Sequence, residues 1–177
     1  MELKETTLSQ KKVYEGIIVD IRVDEVRIPD GSVRRREVVE HPGGVAVIAV
    51  DDQGRLILVR QYRYPMGEVV LEFPAGKLEP GEDPREAGLR ELSEETGLTA
   101  GRFDSLGVSY SSPGILAEWI HYFLARDLRQ EQAHPDDGEF VEPVWLTLDE
   151  LTAMAASGEL KDGKTLAGLL KAKLALG

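Results

Sequence analysis

Between Asp83 and Thr96 the chain carries Arg90, Glu91, Glu94 and Glu95. At about 3.6 residues per helical turn the three glutamates fall on one narrow face of a helix, with Leu89 and Leu92 pointing away from it toward a core. Like charges at i,i+4 destabilise an isolated helix, and an ordinary surface helix interleaves lysine at such places. Carboxylate oxygens in this arrangement suit a hard divalent cation such as Mg²⁺ or Mn²⁺, which removes the repulsion. Arg90, four residues before Glu94, can hold a carboxylate in place from behind. A plain solvated acidic face is the competing reading, and the helix by itself does not separate the two. A second acidic cluster, His134-Pro135-Asp136-Asp137-Gly138-Glu139 with Glu142 beyond, is flanked by Pro and Gly. That makes it a loop, where functional residues concentrate.

These two regions carry the whole of the net charge. The 177 residues include 21 Lys and Arg against 32 Asp and Glu, a net of −11, of which residues 76–98 hold −4 and residues 127–150 hold −7. A field of this sign opposes contact with bare nucleic acid. The absence of cysteine excludes disulfides and thiolate chemistry. No run approaches the ~18 apolar residues of a membrane span, and the opening MELKETTLSQKK lacks the apolar core of a secretory signal. A cytoplasmic protein without nucleic-acid or membrane partners is expected. His41, His121 and His134 show no zinc-ligand spacing.

The elements that must position the carboxylates are legible in part. Residues 13–28 read as one or two strands, Pro29 to Ser32 as a turn, and 33–40 as a returning strand, so residues 1–41 form a small antiparallel sheet. After His41-Pro42-Gly43-Gly44 come strand-like runs at 44–50, 55–62 and 69–73. Asp83 is the N-cap of the acidic helix, with Pro84 at its first position, Glu86 placed for a capping box and Gly97 as the stop. Further strands are expected near 102–110, 119–125 and 141–146. A helix capped by Thr147 and Glu150 runs to about Ser157, and a last helix covers 164–175. In that helix Leu166, Leu169, Leu170 and Leu174 have the spacing of a core-facing stripe. Trp119 and Trp145 read as core residues, and packing is the expected use of Tyr62 and Tyr64. Mixed strands and helices joined by hairpins indicate an α+β or mixed α/β domain over 42–177.

The segment GKLEPGEDPREAGLRELSEETGL (76–98) sets Gly76, Glu82, Arg90-Glu91-Leu92, Glu94-Glu95 and Gly97-Leu98 at fixed intervals. It resembles the Nudix hydrolase signature at every fixed position, over 23 residues with two fixed-length gaps. The resemblance implies a mixed sheet between helices and hydrolysis of a nucleoside diphosphate linked to another group. It also implies metal binding by Glu91, Glu94 and Glu95 with the Ala75 carbonyl, and more than one Mg²⁺ or Mn²⁺ ion. Gly76 and Gly81 are expected to let the loop turn sharply.

Flanking residues are similar to those of the ADP-ribose pyrophosphatase branch. They are the lead-in Leu71-Glu72-Phe73-Pro74-Ala75-Gly76-Lys77, Pro113-Gly114 at 16 residues beyond Gly97, Glu118, Arg36-Glu37, and Arg60-Gln61-Tyr62-Arg63. By that resemblance Arg36, Glu37, Arg63, Glu72, Pro113, Gly114 and Glu118 bind substrate, and a loop glutamate, Glu139, acts on water. The branch's usual pattern has a glutamate two residues earlier, where this chain has Asp137. The general base therefore stays open among Glu139, Asp137 and Glu94, with Arg90 in support. The expected reaction converts ADP-ribose and water to AMP and ribose 5-phosphate. Alternatives are another NDP-sugar or dinucleotide such as GDP-mannose or NADH, or an ADP-ribose-binding module without hydrolysis. In the same branch the N-terminal segment builds a homodimer, so a C2 dimer is expected, with Arg36 reaching the neighbour's substrate.

Overall fold

A computed structural model of the chain describes residues 3–131, 138 and 140–177. In chain order the elements are β1 (Thr6–Glu15), β2 (Asp20–Arg27), β3 (Val33–Glu40), β4 (Gly44–Val50), β5 (Arg55–Arg63), β6 (Glu68–Glu72) and β7 (Ala75–Lys77). Then follow α1 (Pro84–Thr96), β8 (Leu98–Tyr110), β9 (Leu116–Ala117), β10 (Trp119–Gln130), β11 (Val141–Thr147), α2 (Leu148–Ser157) and α3 (Gly163–Leu176). Two compact units result. One takes the residues up to Gly43 together with Tyr110–Trp119, the other takes Gly44–Ser109 and the described residues from Ile120 onward.

In the first unit β1, β2 and β3 pair antiparallel in that order, and β9 adds to β3 in parallel. The small sheet is therefore not purely antiparallel, and it borrows a strand from well beyond residue 41. The expectation of strands from residue 13 also starts too late, because β1 opens at Thr6. Every residue of this edge strand is exposed, so no alternation of apolar and polar residues marks it. Trp119 is about half exposed and lies edge-on to Tyr110, at 5.8 Å between ring centroids, rather than in a core.

The second unit is built on a mixed sheet of order β11-β5-β4-β10-β8, with β6 paired to β5 and β7 to β4. β10 runs parallel to β4, and β11 antiparallel to β5. Alternation explains its two cores. From β4, Ala46, Ile48 and Val50 enter one cluster with Leu151 of α2 and Leu169 and Ala172 of α3. Val45, Val47 and Ala49 enter the other with Ala87 and Leu92 of α1. A strand buried on both faces is why GVAVIAV is a continuous apolar run. The sheet is thus layered between α1 and the α2/α3 pair, as the resemblance implied. No described helix is long and apolar enough to cross a membrane.

Two packing expectations are corrected. α3 buries Thr165, Gly168, Leu169 and Ala172, leaving Leu166, Leu170 and Leu174 outward. A Cβ on Gly168 would lie 2.8 Å from the Phe73 ring, so the helix approaches through its small residues and Leu169, and the other three leucines turn away. Tyr62 and Tyr64 are exposed rather than packed. Trp145 is partly buried, with the Arg55 guanidinium 5.4 Å above its ring.

Candidate active site

α1 is fixed at both ends by local chemistry. The Asp83 carboxylate accepts from the backbone N–H groups of Arg85 and Glu86, at 2.8 and 3.4 Å. Gly97 adopts φ +68° and donates its N–H to the Ser93 carbonyl at 2.8 Å. Leu92 is wholly buried, and a Cβ on Gly88 would meet Phe103 at 2.9 Å. That close contact seats the helix and brings its acidic face against β7 rather than toward solvent. Glu91 and Glu95 are 7% and 2% exposed, which excludes the solvated-face reading for those two.

β7 is the other wall. A Cβ on Gly76 would overlap the Glu91 carboxylate, so only glycine lets that carboxylate rest on the strand backbone. Gly76 therefore acts by close approach and not by the turn expected of it. Gly81, at φ +79°, is the turn glycine. Glu95 Oε2 accepts from the Ala75 N–H at 3.1 Å. Val47 N–H bonds the Pro74 carbonyl at 2.8 Å, and Ala46 faces Ala75 across the ladder. By antiparallel alternation the Ala75 N–H and carbonyl then both turn away from β4.

Arg90 ties the cluster together. Its Nε and Nη2 donate to the two Glu82 oxygens at 3.0 and 3.1 Å. Its Nη1 donates to Glu91 Oε1 and to Glu94 Oε2, each at 2.9 Å. The helical i,i+4 contact with Glu94 was legible in the sequence; the bonds to Glu82 and Glu91 were not, since neither spacing follows the helix period. The Glu82 hydrogen bond comes first among the influences that raise the Arg90 pKa, while partial burial opposes it. The donor set suits a divalent cation, being hard carboxylate oxygens with a carbonyl beside them. Glu91 and Glu94 face Arg90 and Glu95 faces the Ala75 amide, so no three acidic or histidine side chains among the described residues converge on one point.

Outside the 76–98 segment, Arg63 and Glu72 form a forked pair. Nε and Nη2 of the arginine donate to the two Glu72 oxygens at 2.6 and 2.8 Å, and Lys164 Nζ donates to Glu72 Oε2 at 2.6 Å.

A model of the NUDIX domain matches residues 40–169, and a model of the nucleoside diphosphate sugar hydrolase N-terminal domain matches residues 5–44. The chain belongs to the Nudix hydrolase family. Family members generally need divalent metal ions. This Nudix protein is 42% identical to a Bacillus subtilis (strain 168) protein named ADP-ribose pyrophosphatase, over 92% of this chain and 89% of that one. It is 41% identical, over the same shares, to a Bacillus methanolicus protein named methanol dehydrogenase activator. A crystal structure described as an ADP compounds hydrolase matches with a TM-score of 0.87 at 23% identity, over 99% of this chain and 96% of that one, and so shares its fold.

In the first unit Arg36 is held by Glu5, Nη2 at 2.5 Å and Nε at 3.0 Å, and Glu37 is exposed on β3 opposite Val23. Pro113 and Gly114 form an exposed turn in which Leu116 N–H bonds the Ser112 carbonyl at 2.9 Å. Glu118 lies 3.2 Å from His41 Nδ1, a partner that nothing in the sequence announced. Asp137 and Glu139 lie outside the described residues.

The Arg63–Glu72–Lys164 group sets a pH dependence of stability. Burial pushes the Glu72 carboxyl up, but the Arg63 hydrogen bond and the Lys164 charge outweigh it and hold it below its ordinary value of 4.5. Burial likewise pushes Lys164 down, and Glu72 and Asp162 more than reverse this. The Glu72 contribution is therefore full above the ordinary carboxylate range and is lost as pH falls through the lowered value. That of Lys164 is full below its ordinary value and is lost above the raised one. Glu72→Gln is expected to destabilise the protein by about 3 kcal/mol at pH 7. The gap from wild type should close once both proteins are melted well below the ordinary carboxylate range. A gap that stays constant down to acid pH would remove Glu72 from this role.

Proposed function

We propose that the protein hydrolyses the diphosphate linkage of ADP-ribose to AMP and ribose 5-phosphate in the cytoplasm, using Mg²⁺, with Mn²⁺ as a substitute and more than one ion bound. The observation that carries this reading is the acidic face of α1 lying against β7, with Glu91 and Glu95 buried beside Gly76 and Ala75. Glu91, Glu94, Glu95 and the Ala75 carbonyl hold the ions. Bound divalent cations neutralise the diphosphate's charge and lower the pKa of a coordinated water. Arg90 Nη1 bridges Glu91 and Glu94 and orients both before the ions arrive. Arg63 Nη1 has no partner among the described residues and is free for a phosphate oxygen. Glu72, with both oxygens engaged, serves the substrate through Arg63. Arg36, Glu37, Pro113, Gly114 and Glu118 supply the remaining contacts. A carboxylate from the acidic loop, Glu139 first and Asp137 or Glu94 otherwise, orients or deprotonates the water.

Kinship with an ADP-ribose pyrophosphatase along most of the chain, together with Pro113-Gly114 and Glu118, supports ADP-ribose over other nucleoside diphosphates. A panel of ADP-ribose, GDP-mannose, UDP-glucose, NADH and diadenosine polyphosphates, assayed with Mg²⁺ and with Mn²⁺, tests it. ADP-ribose is expected to give the highest kcat/KM, by about tenfold or more. A GDP-sugar leading by that margin would overturn the substrate and leave the chemistry standing. Tight ADP-ribose binding with no turnover of any compound would replace the enzyme by a binding module.

We also propose a homodimer built by the first unit, with Arg36 serving the partner's site. β1 is a fully exposed edge strand, and its Val13 and Tyr14, with Ile17 and Ile18 just after it, are exposed apolar side chains. Natural edges of that kind are normally blunted or covered. Sedimentation at micromolar concentration is expected to give a dimer, and removal of residues 1–40 a monomer with much weaker substrate binding. A full-length monomer with full activity would dismiss the shared site.

A further inference from the structure

Glu72, the last residue of β6, is 2% exposed, and two cations meet its carboxylate from different elements. Arg63 takes both oxygens with Nε and Nη2, a fork that leaves Nη1 on its far side. Lys164, the second residue of α3, donates Nζ to Glu72 Oε2 at 2.6 Å and to Asp162 Oδ1 at 3.0 Å. Asp162 Oδ2 in turn caps α3, accepting from Thr165 N–H at 2.9 Å and from the Thr165 hydroxyl at 2.7 Å. The ring closes where Thr165 Oγ1 accepts from the Phe73 N–H at 3.0 Å. The four charges sum to zero. Within this balanced group the carboxylate is pinned from the α3 side, so the plane of the Arg63 fork is pinned with it.

We propose that Lys164 is a positioning residue for hydrolysis, which through Glu72 fixes Arg63 in the plane that presents Nη1 to the substrate's diphosphate. The assignment rests on the reading of Arg63 as a diphosphate contact. Lys164 is remote in sequence from the 76–98 signature, and no motif marks it. With Lys164 gone, Glu72 keeps one partner and can turn about its last torsion, taking the guanidinium with it. Substrate capture suffers. The Asp162–Thr165–Phe73 chain does not pass through the ammonium, so the path from Phe73 to the Ala75–Glu95 hydrogen bond survives. KM and kcat should therefore part company.

The test uses the full-length enzyme with saturating Mg²⁺ and the nucleoside diphosphate substrate that the panel selects. Lys164→Met is expected to raise KM about tenfold with kcat within about twofold, the signature of lost binding that is uniform between ground and transition states. Lys164→Arg should return KM to within about threefold of wild type, and in a Glu72→Gln background Lys164→Met should add less than about twofold. Arg63→Lys is the control for the underlying reading and should itself raise KM. If Arg63→Lys raises KM while Lys164→Met leaves it unchanged, or lowers kcat instead, Lys164 has no positioning role and the Arg63 reading stands. If Arg63→Lys leaves KM unchanged, the Arg63 reading falls and the assignment of Lys164 falls with it. Should Lys164→Met fail to fold, Lys164→Gln, which keeps an N–H donor without the charge, carries the same comparison.

Discussion

Glu95→Gln is expected to lower kcat by about a thousandfold under saturating Mg²⁺, equivalent to roughly 4 kcal/mol of transition-state stabilisation. The fold should hardly notice. Glutamine keeps an oxygen for the Ala75 N–H that Glu95 Oε2 accepts at 3.1 Å, so the joint between α1 and β7 persists. One of three neighbouring negative charges disappears, which relieves repulsion along the helix. Thermal melts in EDTA should place the variant within about 1 kcal/mol of wild type or above it. Glu94→Gln should lose activity in the same direction, although Glu94 is the more exposed of the two and its bond from Arg90 supplies part of its orientation. Near-wild-type kcat for Glu95→Gln would remove Glu95 from the ion-binding set. A variant that loses activity only because it unfolds would show itself in the EDTA melt.

The reach of the sequence followed the distance over which each feature is encoded. The acidic face of α1, its Asp83 cap and its Gly97 stop are local, and all three stand in the structure. The layering of the second unit came through the Nudix resemblance, and the unbroken apolar run of β4, which serves two cores, agrees with it. Contacts made across the fold left no trace in any spacing. Gly76 is glycine because Glu91 occupies the space where its Cβ would be. Lys164 meets Glu72 across 92 positions. β1 escaped because an edge strand exposed on every residue has no burial to pattern it. The leucines of α3 misled for the opposite reason: their helical spacing is real, but the close approach of Gly168 to Phe73 turns the small face inward.

Arg90→Gln is expected to destabilise the metal-free protein by about 2–3 kcal/mol, a value between the 3–5 kcal/mol of a broken buried pair and the ~1 kcal/mol of an exposed one. Arg90 is about one-quarter exposed, and its partners Glu82, Glu91 and Glu94 are less so. Removing it leaves three acids, one of them buried, without the guanidinium that neutralises and bridges them. Glu82 is the first reason its charge persists, so the loss should be similar at any pH where these carboxylates are ionised. A melting temperature lower by about 5–10 °C in EDTA is the expected reading for a domain of this size. Divalent cations that bind only the folded state add stability by mass action, and in the variant they also replace a missing positive charge. Saturating Mg²⁺ should therefore raise the melting temperature of Arg90→Gln more than that of wild type and narrow the gap between them. Activity should not recover with stability, because Glu91 and Glu94 lose the two 2.9 Å bonds that orient them, and kcat should stay at least about tenfold down. Arg90→Lys separates charge from geometry: an ammonium restores much of the stability in EDTA but cannot fork to Glu82 while also bridging Glu91 and Glu94. If Mg²⁺ shifts both proteins equally, the acids that Arg90 holds are not those that take the ions, and the metal centre must be sought away from Glu91 and Glu94.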